Sequence, residues 1–292
     1  MNLLDNRTNP STKIFTLLLT FLLTLTLLVG SSASAYAVTK KKIVKPNPRA
    51  AVKIAPITAA TKTVATQNLM IAAKAKNSFN AQQALKSGAN VNVRDADQKT
   101  PLIWAVINRD VPTIKILLAY KADVNVKDKS TWTPLMYAAK RGYTDVISLL
   151  IAAKANVNLT DSRNMTAALF AAEAGNYVTL QALLPANPDL KISNSDGNNT
   201  LMLACSKPDA AGADEIVKLM ISKGLDVNAK NKKGDTALVL AVVNKRVEAV
   251  KALVAAKADV NAQINGQSLI YYASMTNITE IYNILKDAGA HF

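Results

Sequence analysis

Apolar residues return in short blocks at a fixed interval. Leu102-Ile103-Trp104-Ala105-Val106, Leu135-Met136-Tyr137-Ala138-Ala139 and Ala168-Leu169-Phe170-Ala171-Ala172 are one block written three times, 33 residues apart. A second apolar block follows each, as in Val146-Ile147 with Leu150-Ile151. Both blocks are short, alanine-rich and spaced for one buried helical face, so each unit reads as two short helices. A threonine stands before the first block, at Thr100, Thr133 and Thr166. Asn199, Thr236 and Ser268 continue the series at steps of 33, 37 and 32. Counting back 33 from Thr100 reaches Gln67, where Leu69-Met70-Ile71-Ala72-Ala73 keeps the helical block but has lost the turn before it. That makes six clear units and a degenerate first one. A period in the thirties marks a solenoid, whose units stack in a row.

Each unit has the same local grammar. A turn-forming residue opens it, at Asp95, Asp128, Asp161, Asn194 and Asn231. Five residues later stands the Thr or Asn of a helix start. Pro101 and Pro134 take the first helical position, where the amide has no partner to lose. Gly142 and Gly175 end the first helix, a place that favours left-handed backbone. The second helix leads into an extended piece, Lys121-Ala122-Asp123-Val124-Asn125 in one unit and Lys154-Ala155-Asn156-Val157-Asn158 in the next.

These phrases resemble the ankyrin repeat family. The matching residues are Asp128-x-x-x-x-Thr133-Pro134-Leu135-x-x-Ala138-Ala139-x-x-Gly142, then Val146-Ile147-x-Leu149-Leu150, then Lys154-Ala155-Asn156-Val157-Asn158. The resemblance covers about residues 67–292. It implies an all-α solenoid of helix-turn-helix repeats joined by β-hairpin-like turns. It also implies a protein partner, bound by the turn tips and inner helices of the concave face. Ankyrin units usually carry His after Thr-Pro-Leu. Here that place holds Ile103, Met136, Leu169, Met202, Val239 and Ile270 or Tyr271. The resemblance therefore implies fewer side-chain bonds between turns, at a cost to stability and not to fold. The fourth unit is weak, with Leu190-Lys191 in place of Val-Asn. Four extra residues fall in Lys207-Pro208-Asp209-Ala210-Ala211-Gly212, read as a surface-loop insertion.

Charge divides the 292-residue chain. Its net charge is +15, and residues 38–66 supply +7 of that with no acid at all. Pro46, Pro48 and Pro56 lie in this stretch, which reads as a solvated linker able to touch acidic surfaces weakly. Before it, Arg7 and Lys13 precede an apolar run from Ile14 to Val29. Ala33-x-Ala35 and Ala35-x-Ala37 fit a signal-peptidase site, so residues 1–37 read as an export signal, either cleaved or retained as an anchor. Asn158, Asn164, Asn198 and Asn277 open Asn-x-Thr sequons. A glycan at Asn164 would sit badly beside Thr166, which favours a bacterial route to the periplasm or the outside of the cell. The single Cys205 and single His291 exclude an intramolecular disulfide and a Cys/His zinc site within one chain.

No catalytic constellation is visible. A Ser or Cys nucleophile needs a base beside it, and the only histidine is next to last. The acids Asp95, Asp128 and Asp161 recur as turn formers, not as a carboxylate pair. A non-enzyme without cofactor or metal, monomeric and not directed to nucleic acid, is expected. Its partner-binding residues are expected at hairpin tips and inner-helix ends: Lys99, Trp132, Arg163, Met165, Asn198, Lys233, Lys140 and Arg141. Trp132 and Met165 are expected to lie exposed and side by side. Trp104, Tyr137 and Phe170 are expected to serve the core.

Overall fold

The computed structural model describes residues 58–207, 211–276 and 278–292. They belong to the second of two compact units, Ala55–Phe292. The export signal at 1–37, the linker up to residue 57, Pro208 to Ala210 of the insertion and the sequon at Asn277 lie outside the described residues. Helices come in pairs: α1 (Ala59–Lys74) with α2 (Ser78–Lys86), α3 (Pro101–Ile107) with α4 (Val111–Ala119), and α5 (Pro134–Arg141) with α6 (Thr144–Ala152). They continue as α7 (Ala167–Glu173) with α8 (Tyr177–Leu183), α9 (Thr200–Cys205) with α10 (Ala213–Ser222), α11 (Ala237–Val243) with α12 (Val247–Ala255), and α13 (Leu269–Met275) with α14 (Thr279–Asp287). Inner helices pack on inner helices and outer on outer, so α3 touches α1 and α5 while α4 touches α2.

The recurring polar residue starts each inner helix. Thr100, Thr133, Thr166, Asn199, Thr236 and Ser268 have extended backbone, and each side-chain oxygen accepts from the amide three residues on. The hairpins before them are mostly ladderless. One short pairing forms in the last, β1 (Gln263–Ile264) with β2 (Gln267–Ser268). Gly142 turns left-handed at φ 73°, and a Cβ there would collide with the Asn176 amide.

A row of side-chain bonds ties units together along their outer edge. Asn92, Asn125, Asn158, Asn228 and Asn261 each accept, through Oδ1, the backbone amide of a residue in the following unit. The partners are Asp123, Asn156, Asp189, Asp259 and His291, at 2.8–3.3 Å. Within the first unit, Thr66 Oγ1 on α1 accepts the Asn90 amide of the loop after α2 at 2.9 Å. In the fourth unit the asparagine position is Lys191, whose ammonium can only donate. The joint between the fourth and fifth units therefore lacks its rung.

The insertion in the fifth unit is clasped from the sixth. Arg246 is buried at the start of α12, and it donates to Asp214 Oδ1 at 2.6 Å and to the Lys207 carbonyl at 3.0 Å. These two acceptors flank the insertion, so its edges are held in place. On the other side Gly212 approaches the fourth unit, where a Cβ would come within 2.9 Å of the Gly175 carbonyl.

The linker reading ends too late. Helix α1 begins at Ala59 and runs through Gln67, with Ala65 already buried. Thr58 caps it by accepting from the Thr61 amide, and no proline or turn former interrupts Ala59 to Thr66. A helix can therefore extend backwards past the point where the repeat pattern would have started it.

Candidate binding face

Each hairpin is built on one carboxylate or amide. Asp95 Oδ1 accepts the amides of Asp97 and Lys99, both at 3.0 Å. Asp128 does the same for Ser130 and Trp132, and Asp161 for Arg163 and Met165. Asn194 and Asn231 repeat the arrangement in later units. The short acceptor replaces a backbone carbonyl and so fixes the turn.

The second carboxylate oxygen is left to face the inner helix. Trp104 Nε1 donates to Asp95 Oδ2 at 2.8 Å, and the Tyr137 hydroxyl donates to Asp128 Oδ2 at 2.6 Å. Both aromatics stand nine residues after their aspartate. They join hairpin to helix from the residue after the one where ankyrin units usually carry His. Phe170 is the same residue in the next unit and has no donor. Asp161 Oδ2 is buried without a hydrogen bond, and Arg163 Nε stands 3.5 Å from it. Burial pushes the Asp95 carboxyl up, but bonds from Trp104, Lys74 and the Lys99 amide outweigh it and hold it below its ordinary value. Burial, then the bond to Asp128, pushes the Tyr137 hydroxyl well above the ordinary phenol range.

Around these bonds the second to fourth units carry a run of aromatics covered by cations. Trp132 packs between Tyr137 and Phe170, with ring centroids 5.0 and 4.6 Å away. Lys140 Nζ lies 4.9 Å from the Trp132 ring and 5.7 Å from Phe170. Arg163 covers Phe170, and Lys74 and Lys99 cover Trp104. The ring quadrupole attracts a cation held over its face. Lys99 also reaches Asp97 at 3.4 Å and the buried Asp128 at 3.9 Å. Lys140 and Arg141 are exposed, and neither has a carboxylate within ion-pair distance among the described residues.

Lys99, Trp132, Lys140 and Arg163 are therefore brought to one face, with Arg141 beside Lys140. Met165 is not exposed: only 2% of it is accessible, and it belongs to the core. Its amide is pinned to Asp161, and its apolar thioether gains by burial next to the capping Thr166. Trp132 is half-buried and bridges two units, instead of standing out as a tip. Asn198 accepts from Asn231 Nδ2 and so serves the following hairpin, while Lys233 is exposed on that later hairpin. Phe170 is fully buried as expected, but Trp104 and Tyr137 are only half-buried and polar in role. The constant nine-residue offset from each aspartate was the available signal for those two bonds.

The profile described as "Ankyrin repeats (3 copies)" matches residues 69–161, 149–231 and 209–292. No curated protein matches the chain. Among solved structures, EF0377, titled an ankyrin repeat protein, is similar with a TM-score of 0.62 and 26% identity. That likeness covers 66% of this chain and 98% of that one. The ankyrin repeat domain of Bcl-3, titled a unique member of the IkappaB protein family, has a TM-score of 0.59 and 29% identity. The match covers 67% of this chain and 88% of that one.

Proposed function

The chain belongs to the ankyrin repeat family, whose repeats generally serve as protein–protein interaction modules, and we propose that it is an exported, non-catalytic binder of a protein partner. The observation that carries this reading is the aromatic run from Trp104 to Phe170 with exposed Lys140 and Arg141 beside it. Aromatic and arginine side chains supply much of the energy of protein interfaces. A partner surface with an apolar residue ringed by acids would replace water over Trp132 and pair with the two exposed cations.

The test begins with affinity capture from cells that export the protein, followed by titration of the captured protein. Lys140→Glu and Arg141→Glu should slow association, and more so at low salt than at high. Unchanged affinity in both variants would move the site off this face. Export is tested separately, by amino-terminal sequencing of protein recovered outside the cytoplasm. The expected first residue is Tyr36 or Val38, and a retained Met1 would oppose cleavage. A second reading rests on the seven cations and no acids of residues 38–66, which would dock acidic lipid or polysaccharide. Salt-sensitive surface binding that is lost on deleting 38–57, with partner affinity intact, would favour it.

A further inference from the structure

Among the described residues, nothing covers one side of the first helix pair. A groove of about 720 Å³ runs along it, lined on α1 by Thr61, Val64, Asn68 and Ile71 and on α2 by Asn80 and Gln83. None of its lining residues comes from α3 or α4. Val64 is 56% exposed and Ile71 64% exposed, although both stand on a helix whose neighbouring residues enter the core. Later units cover their helix pairs with the pair before them, α3 on α5 for example. Among the described residues the groove thus has the form of a helix-packing surface without its helix.

Its charge is one-sided. Between Thr58 and Arg94 there is no acidic residue, and Lys62, Lys74, Lys76 and Lys86 are all exposed. Lys74 reaches across to Asp95 of the next unit, at 3.0 Å. The chain's own residues 38–57 are basic and carry no acid, so charge disfavours them as the occupant. We propose that this groove docks an amphipathic helix of a partner protein, with small apolar residues on its inner face and acidic residues along its flanks. The apolar stripe of Val64 and Ile71 would receive the inner face, as helices do when they lie in grooves. The lysines would meet the flanking carboxylates and raise the association rate. This site is separate from the aromatic face and stands or falls without it.

The full chain is titrated by fluorescence anisotropy with a labelled helical peptide of about five turns, with leucine and alanine on one face and glutamate elsewhere. A twin peptide carries lysine in place of each glutamate. The glutamate peptide should bind and the lysine twin should not. Val64→Asp with Ile71→Asp should weaken binding about ten-fold or more, and Lys62→Glu with Lys86→Glu should weaken it chiefly at low salt. All four positions are exposed, so thermal unfolding should be nearly unchanged. No measurable binding of the glutamate peptide, or binding indifferent to both double variants, overturns the proposal. So does tighter binding to phosphatidylglycerol vesicles that the same variants abolish, which would make a membrane the occupant. A dimer in sedimentation that Val64→Asp with Ile71→Asp dissociates also overturns it, and would make the occupant a second copy.

Discussion

Tyr137 and Phe170 occupy one position in neighbouring units and differ by a single oxygen. That oxygen decides whether the aspartate behind it is satisfied. Tyr137→Phe should destabilise the protein by about 1.5–3 kcal/mol, the range for bonds to charged groups. Phe170→Tyr is the reverse experiment. It should gain about 0.5–1.5 kcal/mol by giving Asp161 Oδ2 the donor it lacks. Urea midpoints at constant slope measure both changes, and a loss from Phe170→Tyr would mean that Trp132 leaves no room for the hydroxyl. Asp95 offers a pH test. Its folded-state pKa lies below the unfolded value, so its contribution is present above the unfolded pKa and is lost as pH falls through the folded one. Asp95→Asn keeps the turn, as Asn194 and Asn231 show. The variant should be less stable than the parent near neutral pH, and the gap should narrow only as pH falls below the ordinary aspartate range. Cys205 gives a chemical readout at the same scale. Burial pushes its thiol up to about 12, so the native protein should resist alkylation that the unfolded chain accepts.

Helices and hairpins were largely legible because their signals are local. A threonine before an apolar block announces a helix start, and the six caps form where that pattern places them. What escaped depends on contacts between units. Nothing beside Met165 distinguishes an inward side chain from an outward one, since Lys99 and Trp132 at the same position stay half-buried. The early start of α1 escaped because the residues before Gln67 carry no turn former and no repeat phrase. The candidate face was legible in its cations and in Trp132, and illegible in the carboxylate bonds beneath them. The asparagine row lies between these cases: its residues recur visibly, but their bonds cross to the next unit. Lys191→Asn should restore the missing rung to Asp226 and raise stability by about 0.5–1.5 kcal/mol. Asn158→Ala should lose a similar amount by freeing the Asp189 amide. A null result for Lys191→Asn in chemical denaturation would show that the four-residue insertion has moved the two units out of reach.

Across the described array each helix pair meets only its neighbours, so stability is a sum of units and the interfaces between them. A change in the middle should therefore be felt on both sides. Leu135 is 1% exposed in the shared core, and Leu135→Ala should cost about 2–5 kcal/mol. Chemical denaturation that shows less than about half a kilocalorie of loss would place Leu135 outside the energetic core. The ends should open before the middle, and amide exchange would show it as faster exchange in α1 and α14 than in α5 and α7.

The outer-edge bonds make the array a rod laced along one side, and one lace is missing where Lys191 stands. A laced rod bends where the lacing stops. The joint between the fourth and fifth units should therefore act as a hinge between a block of four units and a block of three. Lys115, Ser148, Gln181 and Lys218 are exposed at equivalent places on successive outer helices, which provides a ruler. Spin labels on Ser148→Cys with Lys218→Cys span the unlaced joint. Labels on Lys115→Cys with Gln181→Cys span two laced ones, and buried Cys205 should stay unlabelled in both. Pulsed electron resonance should give the first pair the broader spread of distances, and Lys191→Asn should narrow it. The curvature of the whole array would then be set by the side chain at one position, and a partner long enough to touch both blocks would feel that compliance as a cost of straightening the rod.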